Sequence, residues 1–150
     1  MQVEKTVKDE KIEQIMILPA FEQSHKYCIM CGCENPYSLR LKFSPDEMGT
    51  VFAQYRGNKT LQGYEGVIHG GVLSAIMDTA MAHCLMHKNI KAVTGELNIR
   101  YLKPVPCSSR LEISAWIDSS LPPLYHMKSK IQINGGTVCK GKARFMAVLP

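Results

Sequence analysis

The chain has 150 residues, of which 45% are apolar, 21% charged and 7% aromatic. This composition is typical of one soluble domain with an ordinary core, and it excludes disordered, collagen-like and fibrous proteins. Eighteen Lys and Arg against thirteen Asp and Glu give a net charge of +5. The excess indicates an anionic partner without identifying it.

The N-terminal region lacks the pattern of an export signal. Its apolar run at residues 15–18 is too short for a signal peptide. Residues 67–86 are apolar and long enough to cross a bilayer, but they include His69, Asp78 and His83, and burying an ionised Asp in lipid costs several kcal/mol. We therefore expect a cytoplasmic protein with no membrane partner and six reduced cysteines.

The first half of the chain predicts two helices and a hairpin. Charged residues with aliphatic residues at helical spacing predict a peripheral helix over 3–17, before Pro19. Strand-like runs at 39–43 and 51–55 flank a turn and predict the hairpin. Residues 70–87 are too long and too apolar for a strand, and they predict a helix that is buried nearly all round.

The second half predicts four strands. Apolar and polar residues alternate over 93–101, 111–117, 125–133 and 138–148, as in strands with one covered face. In the first of these, Val93 and Leu97 belong to the apolar set and Thr94 to the polar set. One antiparallel sheet wrapped around one helix, an α+β fold in a single domain over 1–150, is the most economical arrangement.

The link Asn134-Gly135-Gly136 predicts a hairpin between the last two strands. A three-residue loop places Ile131 opposite Cys139, whereas a two-residue loop places it opposite Lys140. Apolar pairing across the strands favours the three-residue loop.

A lone carboxylate interrupts the apolar helix. The residues three, four and seven positions from Asp78 are small or apolar and include no Lys or Arg: Gly71, Ser74, Ala75, Met81, Ala82 and Leu85. Such surroundings leave a slot in which a ligand could lie against a carboxylate that acts as a base. An Asp that is bonded to backbone amides fits the same pattern, and the helical wheel does not separate the two.

The residues before this helix, His69-Gly70-Gly71, favour the ligand site. Adjacent glycines allow a ligand to approach the backbone closely, and the free amides of a helix start carry the positive end of its dipole. We predict an oxyanion hole at the Gly70 amide. Because Asp78 lies about 12 Å further along the helix, one chain cannot place both groups at one reacting centre. A two-fold dimer could do so.

Several motifs together resemble the PaaI-like hotdog-fold acyl-CoA thioesterases. The similarity runs from Leu61 to Pro106. It rests on His69-Gly70-Gly71, on Asp78 nine residues after that His, and on the run from Leu97 to Pro104. The similarity is strongest to the branch with a Leu-Gln-Gly lead-in, here Leu61-Gln62-Gly63. Cys28-x-x-Cys31-Gly32 and Asn35-Pro36 also resemble an N-terminal segment of such proteins, so residues 1–35 are expected to form the N-terminal helix and lead-in segment of the domain.

The resemblance implies a hotdog fold, with five to six antiparallel strands around one long central helix, and dimers or tetramers with active sites at a subunit interface. It implies hydrolysis of acyl-CoA without metal or other cofactor. It assigns Asp78 as the catalytic carboxylate, the Gly70 amide as the group that polarises the thioester carbonyl, His69 as the motif histidine and Thr94 as the hydroxyl that positions water or substrate.

One position departs from the family. Many members carry Asn where this chain has Gly63, so the role of that Asn is unfilled unless Gln62 takes it. We expect substrate contacts from five residues, of which the two basic ones would contact CoA: Gln62, Gly71, Ser74, Arg100 and Lys103.

The pattern leaves alternatives open. Asp78 could activate water or attack the thioester directly. A non-catalytic acyl-CoA binder or sensor would keep the same pocket. A hotdog dehydratase or hydratase would need His69 to face Asp78 of a partner chain. No nucleic-acid partner is expected, because the basic residues lack interleaved aromatics and no recognised motif is present.

Four residues, His25, Cys28, Cys31 and Cys33, offer enough ligands for a tetrahedral zinc ion. We favour no metal. Cys31 and Cys33 are close in sequence for two ligands of one ion, no second ligand pair lies elsewhere, and the resemblance accounts for Cys28 and Cys31 without metal.

His83, Cys84 and His87 could form a metal pair or a Cys–His nucleophile. A core cysteine with histidines near the helix end is the favoured interpretation.

The predicted register also places Lys128 opposite Lys142, Lys130 opposite Lys140, and His126 beside Arg144. Facing like charges need water or an anion to screen them. A solvated outer face is favoured over a site for CoA phosphates.

Overall fold

A computed structural model describes residues 24–148. The helix predicted over 3–17 lies outside this range. Within this range lie one long helix, six strands and a short 3-10 turn at Lys59–Leu61. The elements are β1 (Ser44–Pro45), β2 (Val51–Arg56), α1 (Gly70–Met86), β3 (Ala92–Tyr101), β4 (Arg110–Leu121), β5 (Leu124–Ile133) and β6 (Gly136–Ala147).

The six strands form one antiparallel sheet in the order β1-β2-β4-β5-β6-β3. Helix α1 packs against one face and contacts every strand from β2 to β6. The predicted α+β architecture, one sheet around one helix, is confirmed. Strand β3 is an edge strand: within residues 24–148 it pairs only with β6, and most of its side chains are exposed.

Helix α1 forms the core because its side chains are apolar on nearly every side, as predicted. Ile76, Met77, Ala80 and Met81 have no exposed surface. Full burial of a large aliphatic side chain stabilises a fold by roughly 1.5–3 kcal/mol, so this helix anchors the sheet. Small residues on the remaining surface let β3 approach the helix closely.

The register predicted for the β5–β6 hairpin is confirmed, with Ile131 opposite Cys139. The predicted three-residue loop is wrong. Asn134 and Gly135 form a two-residue turn with φ values of 48° and 79°, the left-handed values of a type I′ turn. Val138 is then one extra residue in β6, so a β-bulge produces the offset that a longer loop would have given.

The first predicted strand, residues 39–43, is wrong. Only Ser44–Pro45 pairs with β2. Arg40 has a φ of 53°, which interrupts extended backbone. The amides of Leu39 and Leu41 instead donate to carbonyls in the preceding segment. This stretch therefore fastens residues 24–38 to the domain and does not extend the sheet.

Candidate active site

His69 caps helix α1. Its backbone is extended, and its Nδ1 accepts a hydrogen bond from the Gly71 amide at 2.8 Å. The neutral ring therefore carries its proton on Nε2. Gly63 packs against this histidine, since a Cβ at residue 63 would lie 3.1 Å from the His69 Cα. The predicted motif histidine thus orients the first turn of the helix.

This cap leaves the Gly70 amide as the free donor of the first turn. It is the first amide of the helix, so no intrahelical carbonyl can accept from it, and no residue from 24 to 148 accepts its proton. Gly70 and His69 line an open cavity of about 810 Å³ between the 63–70 loop and residues 101–105. A ligand carbonyl in this cavity would meet an unsatisfied N–H at the positive end of a helix dipole.

Tyr101 fixes the position of Gly70 from the sheet side. Its hydroxyl donates to the Gly70 carbonyl at 2.8 Å. The hydroxyl has one proton, so the short hydrogen bond between Ser74 and Tyr101 has Ser74 as its donor. Ser74, predicted to contact substrate, is therefore engaged with the last residue of β3.

Asp78 is half-buried, and its Oδ1 accepts a hydrogen bond from the Thr94 hydroxyl at 2.7 Å. No ion pair among residues 24–148 involves this carboxylate. The structure thus brings together the two residues that the resemblance assigned as carboxylate and hydroxyl. The absence of a cationic partner agrees with the helical wheel.

A β-bulge places Thr94 on the helix side of β3. Thr94 lies opposite Phe145 and Leu97 lies opposite Ala143, and both partners are buried. Gly95 is the extra residue that lets Thr94 and Leu97 share one face. Strict alternation had put Val93 on the covered face and Thr94 on the other, and this assignment is wrong. An isolated Gly inside a strand pattern was the available signal.

The two halves of the predicted site lie apart in one chain. Gly70 lines the cavity, whereas Asp78 and Thr94 do not. Eight residues of helix separate Gly70 from Asp78, which is about 12 Å of rise. Within one protomer, the Gly70 amide therefore lies beside the cavity. The Asp78 carboxylate and the Thr94 hydroxyl lie elsewhere, where helix α1 faces the edge strand β3.

The remaining predicted contacts divide into two groups. Lys103 lines the cavity. Arg100 does not: it lies opposite Lys140, and since Ile99 approaches Met77 of the helix, alternation directs Arg100 to the outer face. The Gln62 side-chain oxygen accepts from the Gly66 amide at 2.9 Å, which leaves only its amide nitrogen free.

The outer sheet face carries the basic residues. Lys128 lies opposite Lys142, and Lys130 opposite Lys140, as predicted. Carboxylates on the same face provide part of the screening: Lys128 pairs with Asp118 at 2.7 Å, and Arg144 pairs with Glu96 at 3.2 Å. This face lies on the side of the sheet opposite helix α1.

The C-terminal part of helix α1 holds buried thiol and imidazole groups. Cys84 is fully buried, and burial raises its pKa to about 11, so it is a core residue and no nucleophile, as favoured. Burial, followed by the neighbouring His87 and His25, lowers the pKa of His83 to about 4. All six cysteines are free. Within residues 24–148, no helix has the length and apolar character needed to cross a membrane.

Helix α1 begins at two adjacent glycines, Gly70 and Gly71, which we call the glycine corner. A central helix that starts in this way and is wrapped by an antiparallel sheet defines a hotdog-fold domain. Residues 65–120 match the family model of the thioesterase superfamily. The matched region contains helix α1, strand β3 and nearly all of strand β4.

Solved structures show the same fold. A crystal structure of a thioesterase superfamily protein superposes with a TM-score of 0.76 at 16% identity, over 97% of this chain and 86% of that one. A hypothetical thioesterase of Streptococcus pneumoniae, solved with coenzyme A, has a TM-score of 0.68 at 21% identity, over 72% of this chain and 85% of that one. Two further structures of a hypothetical thioesterase from the same organism carry Ala in place of a Thr and an Asp.

Curated relatives match part of the chain. Mouse acyl-coenzyme A thioesterase THEM4 is 34% identical over 61 residues, which are 41% of this chain and 26% of that protein. Across the mouse, cattle and rat proteins, this chain spans 26–29% of the relative's length.

Proposed function

We propose that this protein is a PaaI-like acyl-CoA thioesterase, which hydrolyses an acyl-CoA to a free acid and CoA. The Gly70 amide acts as the oxyanion donor, and Asp78 as the base or nucleophile. The unsatisfied Gly70 amide at the wall of the cavity is the observation that carries the proposal. The matched family model and the THEM4 relatives support the reaction class.

The chemistry suits these groups. A thioester carbon is electrophilic and a thiolate leaves readily, so a polarising donor and a base suffice. The Gly70 amide would stabilise negative charge on the carbonyl oxygen, which is the usual role of such a donor. In the water route, the water oxygen bonds to the carbonyl carbon, Asp78 takes a proton, and the thiolate leaves and is reprotonated. In the other route, an Asp78 oxygen bonds to the carbonyl carbon, the C–S bond breaks and the CoA thiolate leaves and is protonated. Water then hydrolyses the resulting anhydride, which releases the acid and restores Asp78.

Support for the carboxylate and hydroxyl comes from their contact. Thr94 donates to one oxygen of Asp78, which fixes the rotamer and leaves the other oxygen available. The Asp and Thr replaced in the S. pneumoniae protein are separated by the same sixteen positions as Asp78 and Thr94. This spacing supports equivalent positions in the two chains.

The proposal requires a second copy of the chain. Because Gly70 and Asp78 cannot meet within one protomer, we propose that each site takes the glycine corner of one protomer and Asp78 of its partner. The exposed edge of β3 and its helix-side residues support this arrangement, since Leu97 and Tyr101 are both large and exposed there. Exposed apolar patches and unpaired strand edges favour association.

The test measures release of free thiol from a panel of acyl-CoAs by the full chain and by Asp78→Asn. Asn retains an oxygen that accepts from Thr94 but provides neither a base nor a nucleophile, so we expect activity to fall by at least 100-fold with an unchanged thermal midpoint. Asp118→Asn is the matched control, because Asp118 pairs with Lys128 on the outer face, and it should keep full activity.

The alternatives give different results. Asp78→Asn activity within tenfold of the native chain, about 1.4 kcal/mol, would contradict the assigned role. A native chain that binds CoA esters without releasing thiol would identify a binder or sensor. Hydration of an unsaturated acyl-CoA without thiol release would identify a hydratase.

A further inference from the structure

The cysteine segment, residues 25–33, folds into a tight turn against the C-terminal part of helix α1. The ligand atoms of His25, Cys28 and Cys31 all lie within 4.8 Å of one another. The Cys31 sulfur lies 3.6 Å from the His25 Nδ1. All three side chains are half-buried, which makes this cluster unlike an incidental group of exposed polar residues.

A fourth ligand, and a second imidazole, comes from the helix. The His83 Nε2 is buried and has no hydrogen-bond partner among residues 24–148. A buried polar atom without a partner is unfavourable and requires an explanation. The His83 ring centroid lies 6.3 Å from that of His25. Two imidazoles on one tetrahedral zinc have centroids roughly 5 Å apart, given Zn–N bonds of about 2 Å, so a small movement brings the two rings into range.

We propose that His25, Cys28, Cys31 and His83 bind one zinc ion, which fastens the cysteine segment to helix α1. Two thiolates and two imidazoles are a standard set for a structural zinc ion, and a separation of two residues is typical of a paired-cysteine half-site. The sequence argument against metal rested in part on the lack of a second ligand pair elsewhere in the chain, and it took the fourth ligand to be Cys33. His83 is remote in sequence and becomes adjacent only in the fold.

The backbone around the cysteines supports the proposal. The Met30 amide donates to the Cys28 sulfur at 3.4 Å, and such outer donors stabilise a metal-bound thiolate. The Gly32 amide donates to the Cys28 carbonyl at 2.8 Å. A Cβ at residue 32 would lie 2.5 Å from the Cys28 nitrogen and the Lys26 oxygen, so only Gly closes this turn. The turn therefore directs both sulfurs toward one point.

The site is separate from the proposed active site. None of the four ligands lines the 810 Å³ cavity. Phe43 packs on the His83 ring at 4.6 Å between centroids, and it belongs to the stretch that hydrogen-bonds to the cysteine segment. A zinc ion here would add its binding energy to the stability of residues 25–43.

The first measurement is the zinc content of the full chain, purified under reducing conditions, by elemental mass spectrometry. We expect about one zinc per chain. Cobalt(II) added to the chelator-treated chain should give the sulfur charge-transfer and ligand-field bands of a tetrahedral site with two thiolates. This spectrum needs no variant, so it tests the site even if a ligand variant misfolds.

Two matched pairs of variants then identify the ligands. Cys31→Ser should lose at least tenfold in zinc affinity, whereas Cys33→Ser should not, since Cys33 is exposed. His83→Ala should lose affinity, whereas His87→Ala should not. Circular dichroism confirms that each variant is folded. A folded native chain with no zinc, octahedral cobalt without sulfur bands, or equal loss within either pair would overturn the proposal.

Discussion

The two ends of helix α1 differ in almost every property that matters for function. At the start, Gly70 and Gly71 leave the backbone open to a cavity, with one amide unsatisfied. At the end, His83, Cys84 and Leu85 are packed under the cysteine segment and β2. The start of the helix borders a cavity that could hold a ligand. The end of the helix is packed against other parts of the domain and borders no such cavity.

The difference shows how one helix can serve two purposes. Free amides and small residues are unfavourable for packing, so they persist only where other parts of the helix supply the stability. The buried residues from Ile76 to Leu85 supply it here. Changes at the open end should therefore reduce turnover with little effect on stability, and changes at the closed end should do the opposite.

The largest expected effect is that of Gly70→Pro. Proline suits the first position of a helix, where its ring carbon replaces the free amide proton. The His69 ψ of 130° is compatible with a following proline. We expect kcat for acyl-CoA hydrolysis to fall by about 100- to 1000-fold. Gly70→Ala is the control: it retains the amide but adds a Cβ near Tyr101. Equal losses in both variants would assign the effect to crowding.

At the closed end, Gly32→Ala should destabilise the fold by about 3 kcal/mol, because the new Cβ would overlap backbone atoms that cannot move independently. Urea unfolding of the variant measures this loss. Turnover per folded molecule should stay near that of the native chain. Gly66→Ala is a contrasting variant: its Cβ would meet nothing within 4 Å, so its loss would arise from the φ of 76°, which Gly32 does not share.

Thr94→Val tests the link between β3 and the carboxylate. Valine has nearly the same shape but donates no hydrogen bond, so Asp78 loses the 2.7 Å contact that orients it. We expect about a tenfold decrease in kcat, since a hydrogen bond to a charged group contributes roughly 1.5 kcal/mol or more. Thr94→Ser should recover most of the activity. Failure of Ser to do so would mean that the methyl group matters more than the hydroxyl.

The smallest effect concerns the helix cap. His69→Ala removes the acceptor of the Gly71 amide and should lower the free energy of unfolding by about 1 kcal/mol. His69→Asn supplies another good cap acceptor and should restore stability. If Asn restores stability but not turnover, His69 contributes to the reaction beyond capping; recovery of both would limit it to the cap.

Local patterns in the sequence predicted much of this molecule. Length and apolar composition predicted helix α1, alternation predicted the long strands, and apolar pairing predicted the β5–β6 register. These patterns gave wrong predictions where the backbone departs from regular strand geometry. Arg40 at positive φ interrupts the first predicted strand, and the bulge at Gly95 reverses the face of Thr94.

The site shows the same division. The residue types of the glycine corner and the isolation of Asp78 were readable from spacing, because both lie within one helix. The approach of His83 to His25 was not, since two remote segments meet only through packing of the whole domain. The expected contact of Arg100 with CoA did not follow from spacing either, because the register of β3 places this side chain on the outer face of the sheet.

Under the proposed function, the distance along the helix between Gly70 and Asp78 predicts how two inactive variants behave when they are expressed together. Gly70→Pro and Asp78→Asn would each inactivate a pure population, because every site would lack one group. In a mixed dimer, one site would combine both defects and the other would have neither. Coexpression of the two inactive chains should therefore restore part of the activity by intragenic complementation, with one working site in each hybrid.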